Sequence, residues 1–178
     1  MSGALRILPH YTYDDYCIWE GKWELIYGIP YAMSPAPTTK HQRITAALLS
    51  EFHFALKKCK HCRVYDPVDY KVAEDTVIQP DVLVICGKPK LNFLDFAPSL
   101  VVEVLSPSTA LKDRHTKYDI YESKGVKYYL IVSQDTEEVE VFQLVEGAYQ
   151  LQQKGHAFPF SFSFDEDCNI DIDFGEIW

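Results

Sequence analysis

Glu103 stands alone in the run Leu100-Val101-Val102-Glu103-Val104-Leu105, where both faces of an extended strand would otherwise be apolar. Taking an ionised carboxylate out of water costs on the order of several kcal/mol unless a cation compensates it. Such an acid reads as part of a site, although a lysine or arginine paired with it for structural reasons would also satisfy the charge. A second carboxylate, Asp81, opens the apolar run Asp81-Val82-Leu83-Val84-Ile85, 22 positions before Glu103. Sequential strands usually pair, which lets the two acids converge on a hard divalent cation. Magnesium takes one or two carboxylates with waters and phosphate oxygens, which suits phosphate-ester chemistry.

Downstream, Asp113, Lys117 and Tyr121 recur at intervals of four and share one helix face. Lys117 can lean toward the end of the Glu103 strand, where an ammonium stabilises charge that develops during hydrolysis. A plain surface pair between Asp113 and Lys117 has the same spacing.

The elements that position these groups follow from periodicity. Lys22 to Met33 reads as a hairpin turning near Gly28-Ile29-Pro30, closed by Ser34-Pro35-Ala36-Pro37. Ile44, Ala47, Leu48, Phe52, Ala55 and Leu56 recur at helical spacing, which predicts an amphipathic helix over 38–58 capped by Thr38 or Thr39. His41 falls on its buried side, as a core residue or a support for the site. Strands are predicted over 62–65, 68–73, 76–86 and 100–105, the last two containing nearly continuous apolar runs that suit central strands. Ser106 to Thr109 can cap a helix to about Lys124, with Gly125 as its left-handed end. A strand over 126–133 and a hairpin over 138–144 and 148–152 complete the pattern. The first 20 residues read as an irregular or briefly helical arm, and 153–178 as a solvated acidic extension.

With 178 residues, 47% hydrophobic and 24% charged, the chain is expected to form one domain, 1–178. No apolar stretch has the length of a membrane span, and the first residues lack a signal-peptide layout. The five cysteines suggest free thiols and a cytoplasmic location. Cys59-Lys60-His61-Cys62 has metal spacing, but Cys17, Cys86 and Cys168 supply no second pair. The net charge of −9 argues against a broad basic surface for nucleic acid, so any such contact is local. No Gly-x-Ser-x-Gly turn supports a serine hydrolase.

The order ELIYG, SPAPTTKHQRI, VIQPDVLVIC, LVVEVLSPST and DRHTKYDIYESKGVKYYLIV, over residues 20 to 145, resembles the Uma-type family of restriction-endonuclease-like proteins. These belong to the PD-(D/E)XK nuclease superfamily. The resemblance implies an α/β (α+β) restriction-endonuclease-like core, a central mixed sheet flanked by helices with an N-terminal β-hairpin. It implies a magnesium- or manganese-dependent endonuclease acting on nucleic acid, DNA first, with Asp81 and Glu103 as metal ligands. Where the superfamily usually carries lysine, two positions after the acid, this chain has Leu105. Lys117 is the residue that could replace it, so the catalytic set is Asp81, Glu103 and Lys117, supported by His41, Asp113 and Tyr121. Glu24 either adds an early acid, as in other members, or is an exposed strand residue. A homodimer is expected by analogy. The missing lysine and the acidic charge also fit an inactive nuclease fold that serves in binding or self-assembly.

Overall fold

Alternation along the apolar strands decides which helix each face receives. The computed structural model describes residues 9–33 and 36–178, and nothing below concerns the others. The chain forms α1 (Tyr13–Tyr16), β1 (Trp23–Ile26), β2 (Ile29–Ala32), α2 (Thr39–Ala55), β3 (Cys62–Tyr65), β4 (Tyr70–Ala73), β5 (Thr76–Ile78), β6 (Val82–Cys86) and β7 (Leu100–Leu105). A π-helical turn (Lys112–Lys117) then leads into α3 (Tyr118–Ser123), β8 (Tyr128–Ser133), β9 (Glu138–Val145), β10 (Ala148–Gly155), β11 (Pro159–Asp165) and β12 (Cys168–Asp173). A six-stranded sheet has the order β10-β9-β8-β7-β6-β3, with β7 and β8 parallel and its other neighbours antiparallel. A smaller sheet has the order β2-β1-β5-β4, and β11 pairs with β12 alone. This is the expected mixed central sheet with helices and an N-terminal hairpin. No helix among the described residues is long and apolar enough to cross a membrane.

One face of the large sheet presents Val82, Val84, Val102 and Val104 to Ile44, Leu48 and Phe52 of α2. The other presents Leu83, Ile85, Val101 and Leu105 to Ile120 and Tyr121 of α3 and to Ile26 and Ile78 of the small sheet. By alternation Glu103 belongs to this second face, between the two sheets.

The N-terminal hairpin turns at Tyr27 and Gly28, both with positive φ (51° and 75°), one residue earlier than the sequence suggested. That two-residue turn matches the twist of paired strands, and Pro30 is tolerated because β2 is an edge strand. The expected strand over 76–86 is two strands in two sheets, broken at Gln79-Pro80-Asp81. Part of the expected arm, and Ser34 and Pro35 of the expected break after the hairpin, lie outside the described residues. From Pro9 the arm is irregular up to the single turn of α1.

Two expectations are corrected. The acidic C-terminal stretch is no solvated tail: Cys168, Ile170 and Ile172 alternate with exposed Asn169, Asp171 and Asp173, so the hairpin buries one face against α2. Its acids are merely the outward half of a period-two strand. The thiols are not all free either. Cys59 pairs with Cys168 and Cys62 with Cys86, leaving only Cys17 unpaired. These partners lie 109 and 24 residues apart, a proximity that only the tertiary fold creates.

Candidate active site

The register of β6 against β7 ends at Val82 with Val102, and Asp81, the residue before β6, continues the chain toward the level of Glu103. Asp81 lies just ahead of β6, and its Oδ2 accepts the N–H of Val104 at 2.8 Å, which ties the acid to the strand it faces. The same oxygen is 3.3 Å from Nε2 of His41. Thr38 caps α2 by accepting the His41 N–H at 3.2 Å, and Thr45 donates to the His41 carbonyl at 2.9 Å, so the first turn of the helix delivers this imidazole. Burial disfavours the imidazolium, yet Asp81 outweighs it and raises the His41 pKa.

On the other side an ammonium sits among carboxylates. Lys117 Nζ is 2.7 Å from Glu24 Oε1, 2.9 Å from Glu103 Oε1 and 3.6 Å from Asp113 Oδ1. Tyr121 donates to the same Glu103 oxygen at 2.6 Å, and the Gln79 N–H to Glu24 Oε1 at 3.0 Å. Lys112 pairs with Glu24 Oε2. Glu24, Glu103, Asp113 and Lys117 are all buried, which removes both the surface-pair reading of Lys117 and the exposed-strand reading of Glu24.

The π turn makes the double grip on Glu24 possible. Five residues along an α-helix leave two side chains roughly 140° apart, whereas i→i+5 bonding brings them nearly over one another. Lys112 and Lys117 thus reach opposite oxygens of one carboxylate. Nothing in the residue spacing singles out Lys112, because the chain carries no sequence signal for a π turn. Gln79 contributes through its backbone, which no side-chain pattern reveals.

Burial pushes the Glu103 carboxyl well above its ordinary range; Lys117 opposes this, while Asp113, Asp81 and Glu24 add to it. Burial would raise Glu24 also, but the ammoniums of Lys117 and Lys112 reverse the sign and hold it below its ordinary value. Lys117 is disfavoured by burial and then driven well above its usual range by Glu103, Glu24 and Asp113, so it stays charged. Burial and the adjacent Glu103 keep Tyr121 a phenol donor.

Glu24, Glu103 and Asp113 thus share the Lys117 ammonium, Lys112 adds a second cation at Glu24, and Asp81 faces His41. Asp113 Oδ1 is buried without a hydrogen-bond partner. Oδ1 of Asp81 and Oε2 of Glu103 accept from no described residue, since their bonds fall on the other oxygens. An all-oxygen set with free lone pairs is of the type that a hard divalent cation takes. Among the described residues, the one trio of His, Cys, Asp or Glu with ligand atoms mutually within 4.8 Å is His61, Cys62 and Asp165, where Cys62 is held in a disulfide. The acids of the site are arranged around Lys117 rather than closed on one another.

The profile of the Uma2 family, described as "Putative restriction endonuclease", matches residues 12–163. The chain belongs to this family. An uncharacterized protein of Synechocystis sp., slr1290, is 31% identical over 152 residues, spanning 75% of this chain and 74% of the relative. A crystal structure of "a putative nuclease belonging to DUF820" from Anabaena variabilis superposes with a TM-score of 0.68 at 18% identity, covering 79% of this chain and 83% of that one. At that identity the likeness concerns the fold, and it supports the restriction-endonuclease-like core expected of a Uma2 chain.

Proposed function

We propose that this chain is a divalent-metal-dependent endonuclease that hydrolyses phosphodiester bonds, with DNA as its first substrate. The observation that carries the reading is the buried set of Glu103, Glu24 and Asp113 around Lys117, with Asp81 tied to the Glu103 strand through the Val104 N–H. Asp81 and Glu103 would hold magnesium or manganese through their free oxygens. When bound, such an ion supplies Lewis-acid polarisation of the phosphate and a more acidic water.

The remaining work falls to the chain itself. In hydrolysis a water oxygen bonds to phosphorus, the bond to the leaving alcohol oxygen breaks, and that oxygen takes up a proton. Lys117 supplies a fixed positive charge beside Glu103, which would stabilise the charge that grows on the phosphoryl oxygens. Glu24, gripped by Lys112, and Tyr121, bonded to Glu103, keep Lys117 and Glu103 in place. His41 restrains Asp81 so that its other oxygen stays available. Leu105 occupies the position of the superfamily's usual lysine, and Lys117 reaches the same acid from the following helix.

Two cuts on a duplex suit a homodimer, and the cytoplasm is the compartment this reading implies. There the two disulfides would form only under oxidising conditions. Supercoiled plasmid and a matched RNA, incubated with magnesium and with EDTA, test the reading. Nicking of the plasmid that requires magnesium is expected. Binding of DNA with no cleavage under any divalent ion would instead favour an inactive nuclease fold, a reading to which the fully paired state of Lys117 lends some support.

A further inference from the structure

A cleft of about 350 Å³ is lined chiefly by Tyr13, Tyr16, Trp19, Trp23, Asp69 and Gln79. Its rings belong to one cluster: Trp19 meets Tyr11, Tyr16 and Trp23 edge-on, with centroids 5.3, 5.7 and 5.7 Å away. Two of the three tryptophans of the chain lie in this cleft. The polar groups at its wall include a carboxylate, an amide and the hydroxyls of Tyr13 and Tyr16. Asp69 Oδ1 takes bonds from Tyr16 at 3.0 Å and from the Gln79 side chain at 2.5 Å, while Oδ2 accepts from no described residue. Among the described residues no lysine or arginine lines the cleft, the ammonium of Lys71 lying over the Tyr13 ring, where it pairs with Glu74.

Gln79 joins this cleft to the carboxylates. Its side chain lines the cleft, its backbone N–H holds Glu24 at 3.0 Å, and it lies two residues before Asp81. Those two residues separate the Cα atoms by about 8 Å at most. Trp23, the residue before Glu24 on β1, makes the same connection.

Resting on the phosphodiesterase reading above, we propose that this cleft is a base-stacking subsite, which takes one nucleobase of the substrate while a neighbouring phosphodiester lies at Asp81 and Glu103. Aromatic walls offer stacking to any base. An unpaired carboxylate oxygen selects bases that carry an exocyclic amino group. The want of a cationic side chain fits a neutral base rather than a phosphate.

The test is tryptophan fluorescence of the full chain, without divalent metal, titrated separately with adenosine, cytidine, uridine, inorganic phosphate and tetramethylammonium. Saturable quenching by adenosine and cytidine is expected, with uridine several-fold weaker and phosphate inert. Asp69→Asn, whose amide can donate to the uridine carbonyl, should bring the three nucleosides close together. Trp19→Ala should weaken all of them at least tenfold, with Trp19→Phe restoring part of the loss if the ring itself is the platform. No saturable response to any nucleoside, or quenching by tetramethylammonium alone, which would mark a cation cage, overturns the proposal. Because the readout needs neither metal nor cleavage, it can fail while the nuclease reading stands, and the nuclease reading can fail while nucleosides still bind.

Discussion

Lys117 holds Glu103 Oε1 at 2.9 Å, which leaves Oε2 as the oxygen a divalent ion would take. Such an ion would still meet the repulsion of the neighbouring ammonium. Removing the ammonium should help the metal and harm the chemistry. Lys117→Met is expected to bind manganese at least tenfold more tightly by calorimetry, a gain of about 1.4 kcal/mol or more, yet to lose cleavage by roughly 10²- to 10³-fold, the scale of one electrostatic donor. Weaker metal binding in this variant would show that Lys117 supports the ion rather than opposing it.

Lys112 has a different task, since it touches Glu24 and no free carboxylate oxygen of Asp81 or Glu103. Lys112→Ala leaves a fully buried acid with one ammonium instead of two, and should lower unfolding stability by about 1–3 kcal/mol. Urea denaturation measures this directly. Glu24→Gln in the same background should recover part of the loss, because it removes the under-compensated charge.

The pH dependence carries two signs. Glu24 is depressed below its ordinary 4.5, so its ion pairs stabilise the fold above that pH and are lost as pH falls through the lower folded value. Glu103 is raised, so its contribution is full below about 4.5 and is lost as pH rises toward its folded value. Stability should therefore climb as pH falls from neutrality toward 4.5, then drop. Glu103→Gln should flatten the climb and leave the acid drop, which thermal melts across pH would reveal; a climb unchanged in that variant contradicts the assignment.

The disulfide from Cys59 to Cys168 ties the end of α2 to the C-terminal hairpin across 109 residues. Cys168→Ser should cost about 2–5 kcal/mol in oxidising buffer and nothing when the parent is measured with a reductant. Plasmid cleavage per folded molecule should be unaltered, because neither cysteine touches the acids.

The candidate site was legible in the sequence wherever one strand or one helix turn carried the information. Glu103 and Asp81 were conspicuous because each interrupts or opens an apolar strand, and β6 and β7 do pair antiparallel. Asp113, Lys117 and Tyr121 showed their common face through four-residue spacing. What stayed hidden needed several elements at once. Glu24 becomes the partner of two lysines only when the small sheet folds over α3, and Lys112 joins it only through a π turn that spacing does not announce. The acids of β12 disguised a strand whose other face is core, since counting charge over a window ignores period-two alternation.

The most direct single measurement is the rate of magnesium-dependent nicking of supercoiled plasmid by Glu103→Gln beside the parent chain, with both shown to be folded. Nicking by the parent is expected, with a loss of roughly 10³-fold or more in the variant, in which a neutral amide replaces the proposed metal ligand. Nicking by Glu103→Gln at the parent rate, with magnesium still required, would contradict it.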